Sequence, residues 1–415
     1  GWINCKVKVL RIVFPLKTEI ILKYYKNNGN FISMIISHIA LKNWRNFQSV
    51  NVDLRDRVFV VGPNACGKSN FLDSLRFLRD LAKAGGGLQK AVSDRGGVSK
   101  IRSLYARRYP DVEIEIHLSE SNAQQPLWRY GLGIKQRKGG KNEPIVAYER
   151  VWKGEEQIVN RPTQEDDNDE LRLTQTYLEQ INANAEFREI SKFLESILYL
   201  HLIPQLVRHP EAFATPGLSE DPFGRTFLER VAKTTEKTRK SRLKKIEDAL
   251  KLAVPQLKNL TDTKDVMGVP HLEAVYEHWR PGAGKQREDQ FSDGTLRLIG
   301  LLWSLLESDS LLLLEEPELS LNSAIVSNLP SLIYRLQRPR KRQVILSTHS
   351  ADLLSDKGIG GEEVLLMTPT TEGTQVQLAS SNEQIKMLLE GGLSIADAAL
   401  PLTAPPDIEQ MSLFK

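Results

Sequence analysis

The sequence predicts an α/β fold class: a core whose two halves flank a long insertion. Three observations carry this reading. Strand-like and helix-like stretches alternate toward both ends of the chain, and a glycine-rich loop at 62–69 follows a short apolar strand and opens a helix. A second apolar strand, 311–314, ends in two carboxylates, Glu315 and Glu316.

The chain has 415 residues, enough for one large domain with an insertion or for two ordinary domains. Apolar residues make up 40% and charged residues 26%, which excludes a disordered tail. No apolar run approaches the roughly 18 residues that cross a bilayer, so no membrane role is expected. Two cysteines, Cys5 and Cys66, are too few for a disulfide framework and point to a reducing, cytoplasmic setting. The formal charge of +4 is concentrated at one end: residues 1–33 hold six cations against Glu19, so the remainder carries −1. That leader lacks helical or alternating periodicity, and Met34 is expected to be the natural start.

From Met34, IISHIALKNW, SVNVDL and VFVV read as strands, with a turn at Arg45 and Asn46 between the first two. A helical pattern spans 68–83. Strands at 112–118, 128–134 and 145–152 are spaced like an antiparallel layer. The acidic stretch 165–170 reads as a solvated loop, and 171–254 as mainly helical. Strand LEAVYEHW (272–279), a Gly-rich loop at 281–284, a helix at 293–307, strand 311–315, a helix at 322–337 and strand 343–347 come next. The strands EVLLM and TQVQL and a short helical region close the chain. The expected organisation is a leader (1–33), an N-terminal lobe (34–160), a mainly helical lid (161–269), a C-terminal lobe (270–400) and a tail (401–415).

Gly62-Pro63-Asn64-Ala65-Cys66-Gly67-Lys68-Ser69 fits G-x-x-x-x-G-K-[ST] in the context that gives the pattern meaning. Its backbone N–H groups and the helix N-terminus suit phosphates, Lys68 the β- and γ-phosphates, and the Ser69 hydroxyl Mg²⁺. The loop alone leaves kinase, GTPase, ring ATPase and ABC-type ATPase open. The strand 311–316 narrows the choice, with Glu315 the candidate Mg²⁺ partner and Glu316 the candidate general base. Glu315 stands where Asp is usual.

Phe291-Ser292-Asp293-Gly294-Thr295 opens the helix before that strand and resembles the signature of ABC ATPases, in the variant form of the RecF/SMC/OLD branch. As a bare pattern it also reads as a helix N-cap. Pro317-Glu318-Leu319-Ser320-Leu321-Asn322 resembles that family's D-loop, and His349 in Ser347-Thr348-His349-Ser350 its switch histidine, although a lone histidine at a strand end is as readily structural. LKNWRNF resembles the strand-turn near the adenine side, where Arg45 and Asn46 either seat nucleotide or form a plain surface turn. Gln89 and Gln124 are both open candidates for the Q-loop glutamine.

The resemblance covers residues 34 to about 400, and it is to the standalone AAA_21-type ATPases of that branch. It implies an ABC-type ATPase head, a P-loop core with an antiparallel β-layer and a helical lid. It implies ATP and Mg²⁺ as cofactors and a homodimer closed around ATP, with Ser292 and Gly294 facing the partner's phosphates. A separate effector is expected, a nuclease of a prokaryotic genome-defence system. The alternatives are a RecF-like repair ATPase that binds DNA directly and the ATPase subunit of a transporter. Unlike some members of the branch, the chain shows neither a hinge-bearing coiled coil nor a Toprim-like acidic cluster after His349. Gln410-Met411-Ser412-Leu413-Phe414 resembles peptides that dock in the replication sliding clamp; the other reading is a tail folded on its own domain.

Overall fold

The computed structural model describes residues 33–106, 110–121, 123, 125–137, 139, 143–210, 223–280 and 284–403. The leader up to residue 32, Gln124, most of the Gly-rich loop at 281–284 and the 410–414 motif lie outside the described residues. The residues from Met34 onward form a unit of their own.

Among the described residues, fifteen strands form three sheets. β1 (Met34–Trp44) and β2 (Phe47–Asp53) join β4 (Val112–Glu120), β5 (Trp128–Gln136), β6 (Pro144–Lys153) and β7 (Glu156–Arg161) in an antiparallel sheet of order β2-β1-β4-β5-β6-β7. The central sheet has the order β15-β14-β3-β13-β12-β8. It contains β3 (Arg57–Val61), β8 (Leu198–Leu200), β12 (Leu312–Glu315), β13 (Val344–Thr348), β14 (Val364–Thr370) and β15 (Gly373–Leu378). Every pairing in it is parallel except β14 with β15. β9 (Leu257–Lys264), β10 (Pro270–Tyr276) and β11 (Lys285–Arg287) make a small third sheet.

The central strands are apolar on both faces because both faces are covered, the usual condition of a parallel sheet. Their period of two sends alternate residues into two cores. Val58, Val60, Leu313 and Ile345 pack toward the antiparallel sheet and the helix Lys68–Ala82. Phe59, Val61, Leu312, Leu314, Val344 and Leu346 pack toward the helices Glu236–Ala253 and Asp293–Glu307. The parallel strands β3, β12 and β13 all end on one side, and the loops that leave them there carry the glycine-rich stretch, the carboxylate pair and His349.

The structure departs from the sequence reading in four places. The region read as mainly helical contributes β8 to the central sheet and β9 to the small one, alongside several 3-10 turns. The acidic stretch is not a solvated loop: Gln164–Asn168 is a short helix, and Asp166 is buried against Arg161 with oxygen–nitrogen distances of 2.9 and 3.1 Å. Arg161 also reaches Glu149, itself buried, so one guanidinium satisfies two interior carboxylates. β7, the strand that delivers Arg161, has no counterpart in the sequence reading. Finally, the helix expected at 322–337 is two helices, Ser323–Val326 and Leu329–Gln337. Pro330, which has no N–H to donate, sits in the first turn of the second.

Candidate functional site

β3 is buried at all five positions and ends at Val61, where the glycine-rich loop begins. The loop winds through left-handed backbone at Ala65 (φ 62°) and Gly67 (φ 101°) before the helix Lys68–Ala82 starts. Gly67 has a second reason to be glycine: a Cβ there would stand 2.2 Å from Asn46 Nδ2. The helix has no acidic residue in its first turn, so its N-terminal field is open to an anion. Lys68 curls over the loop and donates to the carbonyls of Gly62 (2.9 Å) and Pro63 (3.1 Å). Cys66 is buried beneath, and burial pushes its thiol up despite the opposing Lys68 charge, leaving a small neutral plug.

Asn46 rivets the loop from behind. Its Nδ2 donates to the Cys66 carbonyl (2.7 Å) and to Thr374 Oγ1 (2.8 Å), its Oδ1 accepts from Asn70 (2.7 Å), and its own carbonyl accepts from the Thr374 N–H. Arg45, at φ 50°, turns the other way, to Asp73 on the phosphate-loop helix (2.7 Å). Burial raises the Asp73 carboxyl, but Arg95, Arg45 and Arg76 more than offset it and hold it below the usual carboxylate range. Both residues of the β1–β2 turn are thus committed to the loop's scaffold. Gln89 is committed elsewhere, donating to the Pro144 and Thr174 carbonyls.

β12 carries Glu315 to the loop. Ser69 Oγ donates to Glu315 Oε1 across 246 residues of sequence, and Tyr199 of β8 donates to Oε2. Burial and the Glu315 charge both drive the Tyr199 hydroxyl upward, so it remains a donor. The next residue, Glu316, is left-handed at φ 43°, and its N–H donates to the Ser347 carbonyl. Its carboxylate accepts from His349 Nδ1 at 3.0 Å, and the imidazole is about half exposed. Glu318 is buried behind this pair, accepts from the Thr348 hydroxyl and has one oxygen unpartnered. Burial pushes its carboxyl up.

Ser292 caps the helix Asp293–Glu307, accepting from the Thr295 N–H at 3.2 Å. Gly294 lies against the turn after β12, where a Cβ would stand 2.7 Å from the Ser320 carbonyl oxygen. Asp293 between them is held by Arg208 (2.6 Å) and Gln205 of the helix Pro204–Arg208. The structure therefore brings Lys68, Ser69, Glu315, Glu316 and His349 around one mouth. Gly294 lies against the Ser320 turn instead, and Ser292 caps its own helix.

Two groups at this mouth were not singled out by the sequence reading. Tyr199 sits in a three-residue strand with no motif around it, whereas Glu318 was visible only as part of the stretch after Glu316. The donor set suits a hard cation: a hydroxyl and a carboxylate oxygen, with no sulfur or imidazole between them, fit Mg²⁺.

Residues 57–356, well over half of the chain, match the family model described as "AAA domain, putative AbiEii toxin, Type IV TA system". The chain belongs to the AAA_21 family. It is an ABC-class ATPase of the RecF/SMC branch, with the α/β fold that its motifs implied. Over 47 residues it is 49% identical to the endonuclease GajA of Bacillus cereus, a match covering 11% of this chain and 8% of that protein. Over 101 residues it is 30% identical to the DNA replication and repair protein RecF of Bacillus cytotoxicus, covering 23% and 26%. The AAA_21 chain therefore spans well under a third of the length of either relative. Among solved structures it resembles an Smc head bound to the C-terminal winged-helix domain of ScpA (14% identity, 82% and 97% of the two chains, TM-score 0.49). It also resembles the SMC head domain of Thermotoga maritima (14% identity, 83% and 98%, TM-score 0.44). Among the described residues no helix is long and apolar enough to cross a membrane.

Proposed function

We propose that the chain binds and hydrolyses ATP with Mg²⁺, closes as a homodimer around the nucleotide, and uses that cycle to switch a separate effector, a nuclease of a genome-defence system. One observation carries the reading: Ser69 and Glu315, remote in sequence, share a hydrogen bond at the mouth where Glu316 and His349 also meet. In this reading the loop amides from Gly62 to Ser69 cradle the phosphates, and Lys68 exchanges its two carbonyl contacts for the β- and γ-phosphates. Ser69 and Glu315 hold Mg²⁺, which supplies charge neutralisation on the phosphates. Glu316 takes a proton from the attacking water while His349 contacts the γ-phosphate. Ser292 and Gly294 of a second copy supply the opposite wall, an N-capped helix start suited to an anion.

The short identity to an endonuclease supports a nuclease-linked role, and the family's description as a putative toxin of a toxin–antitoxin system supports the defence setting, with the cytoplasm as the proposed compartment. The longer RecF match favours a second reading, direct DNA binding in repair. Purified protein separates them. ATP- and salt-dependent DNA binding by the chain alone supports repair; turnover without DNA binding, with activation of a nuclease encoded beside it, supports the switch.

A further inference from the structure

Glutamate at position 315 poses a mechanical problem. Its side chain has one more rotatable bond than aspartate, so a carboxylate that must meet Ser69 has more ways to miss it. We propose that Tyr199 is the positioning residue that lets a glutamate serve here, holding Oε2 so that Oε1 alone is presented to Ser69; this rests on the ATPase reading.

The restraint forms a closed circuit. Ser69 donates to one oxygen of Glu315 and Tyr199 to the other, so the carboxylate is gripped from two sides. Tyr199 is itself fixed twice. β8 pairs in parallel with β12, Tyr199 opposite Leu313, two residues short of Glu315. The guanidinium of Arg76 lies over its ring at 4.1 Å from the centroid. Arg76 lies on the helix Lys68–Ala82, two turns beyond Ser69 and on the same face. One helix therefore holds both ends of the chain of contacts Ser69, Glu315, Tyr199, Arg76, and the insertion supplies the link.

The test is the Mg²⁺ concentration that half-saturates binding of a fluorescent ATP analogue to the full chain, read without turnover. Tyr199→Phe deletes only the hydroxyl and is expected to raise that concentration about tenfold, the usual cost of losing a group that orients a metal ligand. In the Glu315→Asp background, where the shorter carboxylate no longer reaches Tyr199, the same substitution is expected to change it less than twofold. Arg76→Met, which frees the ring but keeps the hydroxyl, is expected to raise it two- to threefold and serves as the second variant if Tyr199→Phe melts early. An unchanged Mg²⁺ requirement in Tyr199→Phe, or an equal shift in both backgrounds, overturns the assignment while leaving the ATPase reading intact. Absence of Mg²⁺-dependent nucleotide binding in the wild type overturns both.

Discussion

His349 Nδ1 stands 3.0 Å from Glu316 Oε1, across the ends of the neighbouring parallel strands β12 and β13. Only the sheet could arrange this meeting, because 33 residues separate the two side chains. The contact sets the imidazole tautomer: with Nδ1–H donated to the carboxylate, Nε2 is the nitrogen left to face a ligand.

Replacing Glu316 with Gln keeps the shape and removes the base. ATP binding is expected to persist while turnover falls 10²- to 10⁴-fold, and an ATP-bound dimer accumulates. Steady-state turnover and light scattering in ATP check this; a monomer in ATP together with undiminished turnover would sink the sandwich.

Asn46→Ala removes the rivet behind the phosphate loop. Three side-chain hydrogen bonds go, and the Cys66 carbonyl and Asn70 amide lose a partner. A stability loss of about 2 kcal/mol is expected, with ATP affinity weakened severalfold. Denaturant unfolding and nucleotide titration measure the two effects separately; an unchanged affinity would show that the loop holds its shape unaided.

Gly67→Ala is expected to fold and to lose ATP binding. The residue would carry a side chain at φ 101°, and its Cβ would collide with Asn46. Calorimetric titration with ATP alongside circular dichroism reads both outcomes.

The helix Lys68–Ala82 is expected to contribute acid sensitivity. Asp73 and Asp80 are held below the usual carboxylate range because Arg95 and neighbouring cations outweigh the effect of burial. A lowered folded-state pKa contributes stability that is complete above the unfolded value, about 3.9, and disappears as pH falls through the folded value. Unfolding free energy is therefore expected to drop below about pH 5. Asp73→Asn should cost about 3 kcal/mol near neutrality and flatten that slope. A parallel pH profile in the variant would show that Asp73 has no part in it.

The sequence made legible what local pattern encodes. A glycine-rich loop after an apolar strand, two carboxylates ending another, and the N-cap at Ser292 stand where expected, and the helix Asp293–Glu307 begins and ends as read. What escaped depends on contacts between distant segments. Leu198–Leu200 is too short to show a period, so β8 and Tyr199 vanished into a helical stretch. Asp166 looked solvated because its partner Arg161 comes from the strand before it, and burial of a charge is invisible without the counter-charge. Arg45 and Asn46 are legible as a turn between two strands, but not their scaffold partners Asp73, Thr374 and Cys66.

The place of β8 has a consequence for modularity. As the sixth strand, β8 covers the open ladder of β12, whose last residue is Glu315. Excising residues 161–269 to make a minimal domain would strip that cover and expose unpaired N–H and C=O groups beside the carboxylate, a template for aggregation. β8 is thus part of the central sheet rather than an accessory to it. Any evolutionary trimming must retain the tripeptide Leu-Tyr-Leu or close the sheet's edge in another way.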